Sequence, residues 1–426
     1  MGADPVRRLT GRRAATGGVR EILADRPVRV VIFTVFVVMV GFGIIVPVLP
    51  LFARSFGVGY GAAGIMVSAF SFSRLAADFA AGVIVDRRGE RKSAAGGLVF
   101  VALFAFATSR APNFPVAVAL WGIGGAGSAI VFAALYSYML KVVPKHRMAR
   151  TLGIFYGAFN VGVVAGSPLG GVIAHRFGLA SPLFVYAVLL VIAAVMFMRL
   201  VPDPAGRAPD ESATPSAILG TRATIARLLH TPGFITTIVA NLAYLWAIAA
   251  VYDTLVPLFG RDVLGMSTLG IGGVFAVALA TEFFVLYPAG AVADHRGRKT
   301  VMVPALAALA IMTVAIGWAP TPMVFVGLMA LLGITSGAAG LPPAAMLSDV
   351  VPESSTGTAV GVFRFCGDLG MTLGPLVAGF AANAVGFKGA FALVAIPSVV
   401  ALALVAGTRE TLRSNESTEG TASPRD

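Results

Sequence analysis

The chain has almost no cysteine and unusually little charge. Cys366 stands alone among 426 residues, so no internal disulfide can brace the fold. Charged residues make up 12% of the chain and hydrophobic ones 57%. A soluble domain carries about 25% charged residues, so a water-facing globule is excluded. The four histidines, His146, His175, His230 and His295, fall at the ends of apolar segments or between them, without metal-ligand spacing. No metal or cofactor is expected. Gly122 to Gly127 matches G-x-G-x-x-G, but it lies inside an apolar run with no strand before it, which argues against a dinucleotide site. Gly297-Arg298-Lys299-Thr300 is not a phosphate loop, because the lysine does not follow the glycine and no upstream glycine is in place. Enzyme chemistry is not expected.

What the chain does have is a series of apolar runs of about 20 residues, the length that crosses a bilayer as helix. Val30–Leu51 and Phe184–Leu200 are clear examples. The chain is therefore a polytopic membrane protein, with the bilayer as its first partner. Seven arginines precede or open the first run, which is longer than a signal-peptide core and lacks a small-residue cleavage site. It is read as an uncleaved first span. The net charge of +12 does not point to nucleic acid. With both termini inside, 25 of the 32 Lys and Arg fall in cytoplasmic segments. Five fall in external loops (Arg54, Arg110, Arg176, Arg261, Lys388) and two within helices (Arg74, Arg364). That asymmetry is the positive-inside rule. It adds at most a weak attraction to anionic lipid. Arg outnumbers Lys 27 to 5, which fits a bacterial inner-membrane protein.

The hydropathy predicts an all-α protein of twelve transmembrane helices in two six-helix bundles. The first six span about 29–53, 61–85, 93–110, 114–141, 148–174 and 181–201. The second six span about 233–259, 268–293, 300–319, 321–348, 356–383 and 387–408. The expected organisation is a cytoplasmic N-terminal segment at 1–28, a bundle at 29–201, a linker at 202–232, a second bundle at 233–408 and a tail at 409–426. Pro202, Pro204, Pro209 and Pro215 interrupt the linker, and Ala217–Leu229 within it suits a short surface helix.

The two bundles share one signature at a constant offset of 208 residues. Gly82-x-x-x-Asp86-Arg87-Arg88-Gly89-Glu90-Arg91-Lys92 lies between helices 2 and 3, and Gly290-x-x-x-Asp294-His295-Arg296-Gly297-Arg298-Lys299 between helices 8 and 9. Gly153, Gly162 and Gly166 reappear as Gly361, Gly370 and Gly374, and Pro112 and Pro144 as Pro320 and Pro352. Internal repeats in a membrane chain point to a transporter with its site where the halves meet. Both loops resemble the G-x-x-x-D-R-x-G-R-K signature of the major facilitator superfamily, and the resemblance covers helices 1 to 12. It implies two pseudo-symmetric bundles that rock to give alternating access. By the same resemblance, Gly82, Asp86, Arg87, Gly89 and Arg91, with Gly290, Asp294, Gly297 and Arg298, form a cytoplasmic gate motif. Asp86 would latch the N-terminus of helix 11, where Ser354-Ser355-Thr356 are good capping residues and the helix dipole attracts a carboxylate.

The glycine rows in helices 5 and 11, with Pro168 and Pro375, suit tight helix packing. The helix 5 row is similar to the family's antiporter signature, with its proline one residue late. Helix 1 reads Gly43-Ile44-Ile45-Val46-Pro47-Val48-Leu49-Pro50-Leu51-Phe52, and helix 7 echoes it as Leu255-Val256-Pro257-Leu258-Phe259. This stretch is similar to the drug:H+ antiporter branch. Two features of that resemblance are missing: Trp121 stands where many family exporters have an arginine, and helix 1 has no ionisable residue inside it.

Ionisable residues at membrane depth are costly and mark function. The chain has Arg74 and Asp78 in helix 2, Asp253 in helix 7, Glu282 in helix 8, and Arg364 and Asp368 in helix 11. Arg74–Asp78 and Arg364–Asp368 are i,i+4 pairs that can neutralise themselves. Depth along each helix offers another pairing: Arg74 with Asp368 and Asp78 with Arg364, across the bundle interface that the resemblance supplies. At the 208 offset Arg74 maps onto Glu282, Asp368 onto Asn160 and Arg364 onto Tyr156. Glu282 thus faces an amide position with no cation, and burial without a counter-cation favours a carboxyl group's uncharged form. Glu282 is the first candidate to carry a proton or bind a cation. Asp253 is second, with Asp368, Asn160 and Tyr156 as further proton or substrate contacts.

The expected function is proton-coupled efflux of a small amphipathic organic molecule by a monomer in the inner membrane. Tyr136, Tyr156, Asn160, Asn241, Tyr244, Trp246 and Phe70 are candidate lining. The alternatives are an importer or facilitator of a sugar or organic acid, and a membrane sensor or lipid scramblase.

Overall fold

A computed structural model describes residues 19–202, 223–352 and 355–411. Most of the expected linker, the first part of the Ala217–Leu229 helix, Ser354 and the tail from 412 lie outside the described residues. Within them, 223–229 is helical, and Leu228 is buried against Phe234, Ile238, Leu347 and Ala359.

The described residues are helical almost throughout. The long helices are α1 (Arg26–Ile45), α2 (Tyr60–Arg88), α3 (Glu90–Ser109), α4 (Phe114–Val142), α5 (Lys145–Phe177) and α6 (Ser181–Leu200). They continue as α7 (Phe234–Ala247), α8 (Thr268–Arg296), α9 (Arg298–Ile316), α10 (Pro322–Gly340), α11 (Thr356–Val394) and α12 (Ile396–Gly407). Ten segments are long and apolar enough to cross a membrane, and α2, bent by 59° between Asp78 and Ala80, makes an eleventh. One of the ten, Thr356–Gly407, runs for 52 residues. A single crossing needs about 20 residues, so that length suits two. It turns at Gly386, whose φ of +69° no side chain accepts easily.

Proline and glycine set the breaks. α1 stops at Ile45 beside Pro47 and resumes as a short helix, Leu49–Arg54, with Pro50 in its first turn. α10 stops at Gly340 and resumes as Pro342–Val350. A proline lacks the N–H that a continuing helix needs, but tolerates the first turn of a new one. Several local devices recur at the 208 offset. Asn113 and Thr321 cap α4 and α10, accepting from the N–H of Val116 and Val324 at 3.1 and 3.4 Å. Positive φ falls on Gly57 and Gly265, Gly89 and Gly297, and Gly178 and Gly386. The duplication therefore extends to caps and turns. Helix 11 departs from expectation: Ser355 makes no side-chain cap bond, and the Thr356 hydroxyl donates to Pro352 O at 3.4 Å instead.

The chain divides into two compact units, Met1–Val46 with Ser73–Pro209, and Pro47–Phe72 with Asp210–Asp426. In the first unit α1 packs on α5 and α6, and α3 on α4 and α6, around buried Trp121, Tyr138, Phe155 and Phe197. In the second, α7 packs on α11 and α8 on α10, around Phe234, Phe275, Phe325 and Phe391. Small residues set the closest approaches. A Cβ at Gly166 would strike Val40 O, and one at Gly170 would strike Ile44 O. A Cβ at Gly162 would lie 2.8 Å from Phe36 O. On α11, a Cβ at Gly370 would lie 2.6 Å from Leu242 O, and one at Gly374 3.0 Å from Trp246 O. Gly153 and Gly361 correct the sequence reading, since a Cβ on either would meet nothing within 4 Å. The close approach starts at Gly162 and Gly370, about 13 Å further along each helix.

Candidate functional site

The second unit holds a half-buried carboxylate whose partners come from two neighbouring helices. Glu282 sits midway along α8. It is reached by α10 because α10 carries glycine four residues apart, at 333 and 337. A Cβ on Gly333 would collide with Ala278 O and Thr281 Oγ1, and one on Gly337 would lie 2.6 Å from Glu282 O. Thr281 Oγ1 also donates across the contact to Ala330 O at 3.0 Å. The two backbones touch, and Ser336, between the glycines, is delivered to the carboxylate.

Ser336 Oγ donates to Glu282 Oε2 at 3.1 Å, and Tyr244 Oη of α7 donates to Oε1 at 3.0 Å. Tyr252 Oη lies 3.1 Å from Ser336 Oγ. Ser336 Oγ also reaches Gly333 O at 3.2 Å, an alternative acceptor for its proton. The result is a chain of hydroxyls, Tyr244, Ser336 and Tyr252, around one carboxyl group. Among the described residues no cation pairs with Glu282. Such a group can accept a proton by rewiring its neighbours: once Glu282 becomes a donor, the Ser336 hydroxyl can turn to Gly333 O and accept instead.

Asp253 lies on a π-helical segment, Ile248–Leu255, that continues α7. The cause is Pro257, which has no N–H to return to Asp253 O. The ladder widens, Val256 N–H bonding to Val251 O, and the Thr254 hydroxyl donates separately to Ala249 O at 3.0 Å. Such bulges are rare and gather at functional positions. Asp253 is half-buried and makes no side-chain hydrogen bond or ion pair among the described residues.

The other predicted residues are spread over both units. Asp368 is buried on α11, with Arg364 exposed one turn earlier. Arg74 is half-buried and Asp78 exposed on α2. Asn160 is half-buried and Tyr156 is 46% exposed on α5. Ser336 and Tyr252 were not singled out from sequence as site residues, although the small-residue spacing around Ser336 carried the signal. Asn241 and Trp246, expected as lining, direct their polar groups to backbone: Asn241 Nδ2 donates to Phe363 O at 2.8 Å and Trp246 Nε1 to Val394 O at 3.2 Å. No group of three or more His, Cys, Asp or Glu side chains among the described residues is arranged to hold a metal.

The signature loops carry a second constellation, with its charges exchanged between repeats. In the first unit, buried Glu90 pairs with Lys141 at 2.5 Å and accepts from Ser137 Oγ at 2.8 Å. In the second, the equivalent positions are Arg298 and Asp349, paired at 3.1 Å, with Asp294 also on Arg298. Arg91 Nε donates to Met198 O at 3.0 Å, near the end of α6. Its equivalent Lys299 donates Nζ–H to Ala406 O at 2.5 Å, near the end of α12. Glu410 accepts from the N–H of Arg298 and Lys299 at 2.9 and 3.0 Å, and so caps α9. These cations tie helix ends within each unit, which favours a cation at a C-terminus and a carboxylate at an N-terminus. Glu90 is buried and Lys141 exposed, so removing the lysine leaves a buried carboxylate without its cation, which is destabilising. Lys141→Met should therefore lower the melting temperature of the purified protein, and Glu90→Met/Lys141→Met should recover most of the loss. A double variant no more stable than the single one would show that the pair is not what holds α3 to α4.

At the other end of the second unit, Arg54 Nη2 meets Asp262 Oδ2 at 3.4 Å. The two positions are themselves 208 residues apart. The Arg54 guanidinium lies 4.6 Å from the centre of the Tyr60 ring, and Tyr60 N–H donates to Asn383 Oδ1 at 3.0 Å. A Cβ on Gly64 would collide with Pro375 O, and one on Gly379 would lie 2.5 Å from Tyr60 O. The start of α2 is thereby packed backbone to backbone on α11.

Comparison with known proteins places this geometry in context. The sequence profile of the Major Facilitator Superfamily matches residues 31–286 and 270–425. The chain is similar to the quinolone resistance protein NorA of Staphylococcus aureus, 24% identical over 269 residues. That match covers 61% of this chain and 66% of the relative, just under two thirds of its length. It is also similar to an uncharacterized MFS-type transporter, MJ1560, of Methanocaldococcus jannaschii, 23% identical over 384 residues, covering 88% of this chain and 96% of the relative. Among solved structures, the nucleoside transporter NupG shares the fold with a TM-score of 0.75 at 14% identity, over 89% of this chain and 99% of that one. A bacterial homolog of the human lysosomal transporter Spinster does so with a TM-score of 0.74 at 13% identity, over 95% and 97%.

Proposed function

The chain belongs to the major facilitator superfamily, a multi-pass membrane transporter family, and from that premise we propose that it exports a small amphipathic organic molecule in exchange for protons. The observation that carries the reading is the half-buried Glu282 carboxyl group, which accepts from two hydroxyls, with a third bonded to Ser336, and pairs with no cation among the described residues. A group of this kind can load and release a proton as the site opens to one side and then the other. Asp253, on the π-helical turn of α7, is the second proton-carrying candidate. Similarity to a quinolone resistance protein supports a drug-like substrate and outward direction. Both termini are cytoplasmic in this reading, so Arg54, Asp262 and Tyr60 belong to an extracellular gate.

Arg74, Asp78, Arg364 and Asp368 are the candidate charges for holding the cytoplasmic side shut, with Asp86 and Arg87 of the signature loop. Exchanging Asp78 and Arg364 tests this. Each single replacement should lower transport, and the exchange should recover activity well above either. A double exchange as inactive as the singles would remove the cross-bundle pairing.

Substrate class and direction are tested by accumulation in cells with and without the protein. Amphipathic fluorescent compounds should accumulate less in cells that make it, and an uncoupler should abolish the difference. Uptake of sugars or organic acids, with no change for the amphipathic compounds, would overturn the export reading.

A further inference from the structure

We propose that the first unit carries a binding site for one anionic phospholipid, in a crevice where α2 ends and α3 packs on α4. The inference needs only that these helices cross a membrane, and does not depend on what the protein transports. The crevice has a volume of about 210 Å³. Ile84, Gly96, Phe100, Ala126, Gly127 and Ile130 make its wall apolar. Arg88 and Lys92 stand in its lining, and among the described residues no carboxylate does.

The slot exists because of glycine. At Gly97, α3 is pressed onto α4, where a Cβ would lie 2.8 Å from the Val131 side chain and 3.1 Å from Gly127 O. At Gly96, one residue away, a Cβ would meet nothing within 4 Å. A narrow apolar channel therefore runs beside the contact. Its rim faces outward: Val99, Phe100 and Leu103 are 51%, 37% and 60% exposed. On a membrane-crossing helix, such an exposed apolar stripe meets acyl chains. From Lys92 to Phe100 is about 12 Å of helix. The cations thus lie at headgroup level while the Phe100 end lies at acyl depth.

Charge selects the occupant. Arg88 and Lys92 are exposed, and neither makes a hydrogen bond or ion pair among the described residues. They flank the Gly89 turn, one ending α2 and the other in the first turn of α3. A cation in a first turn opposes the helix dipole, and a phosphate there relieves the conflict. One phosphodiester placed between the two side chains, with an acyl chain in the slot, satisfies both features. A zwitterionic lipid offers the same phosphate but brings an ammonium group that Arg88 and Lys92 repel.

The test is native mass spectrometry of the full-length protein with phosphatidylglycerol and phosphatidylcholine of matched acyl chains. A surface Lys or Arg contributes about 1 kcal/mol toward an anionic lipid, so the two should give roughly a 30-fold preference for phosphatidylglycerol. Arg88→Gln/Lys92→Gln should bring the preference close to unity, and Arg88→Lys should keep it. Gly96→Leu, which fills the slot, should weaken retention of both lipids. The proposal is overturned if the double variant keeps the wild-type preference, or if Gly96→Leu binds as wild type does. It is also overturned if inorganic phosphate displaces the lipid, since the site would then read an anion alone. If Gly96→Leu does not fold, a photoactivatable phosphatidylglycerol decides: adducts confined to the crevice residues of the wild type support the site, and adducts spread evenly over lipid-facing helices refute it.

Discussion

Glu282→Gln should abolish accumulation of substrate against its gradient while leaving the protein folded. A difference of one pH unit stores about 1.4 kcal/mol per proton, enough for a roughly tenfold substrate gradient at one proton per substrate. The variant should bring that ratio to about one. Glutamine keeps the shape and one acceptor oxygen, and its amide can donate as a protonated carboxyl would. It therefore imitates the loaded state and cannot unload. Tyr244 Oη at 3.0 Å and Ser336 Oγ at 3.1 Å keep a partner, so little stability should be lost. Proteoliposomes with an imposed pH gradient measure the ratio. A Glu282→Gln protein that still concentrates substrate tenfold would transfer the role to Asp253.

The second large effect lies in the glycine contacts. Gly166→Leu should leave no monodisperse protein in gel filtration, because the side chain would occupy the place of Val40 O. Even alanine there forces a backbone shift, and overpacking of this kind costs about 1–3 kcal/mol. Gly170→Ala, against Ile44 O, should behave alike. Gly153→Ala and Gly361→Ala should do the reverse. Each has open space, and glycine within a helix is worse than alanine by about 0.5–1 kcal/mol. Melting temperatures of the four alanine variants should separate into two groups. Gly166→Ala as stable as Gly153→Ala would contradict the packing of α5 on α1.

The contrast between those glycines shows what was legible in the chain. Repeats, spans and loop positions are local properties. Gly89 and Gly297 take positive φ because a turn needs it there, and an offset of 208 finds both. Which of Gly153, Gly162 and Gly166 touches a neighbour depends on where two helices cross, and spacing alone does not encode that. The same limit hid Ser336, whose role follows from the Gly333 and Gly337 approach to α8. Asn241 and Trp246 looked like lining because polar groups are scarce at that depth, yet each is spent on a backbone carbonyl. The exchanged ion pairs, Glu90 with Lys141 and Arg298 with Asp349, were invisible for another reason. A search for repeats looks for like residues, and here the equivalent residues carry opposite charge. From sequence, Arg91 reads as a gate residue and Lys299 as one of the cytoplasmic cations. Arg91 and Lys299 also bind the last carbonyls of α6 and α12, so their variants will report on stability as well as gating.

The most direct test is proton movement itself. Purified protein in sealed liposomes, carrying an internal pH indicator and an outside supply of a substrate found by the accumulation screen, should show proton efflux that starts when substrate is added. That efflux should be absent with Glu282→Gln and with empty liposomes. Substrate entering at full rate with no change in internal pH would contradict proton-coupled exchange and leave a facilitator in its place.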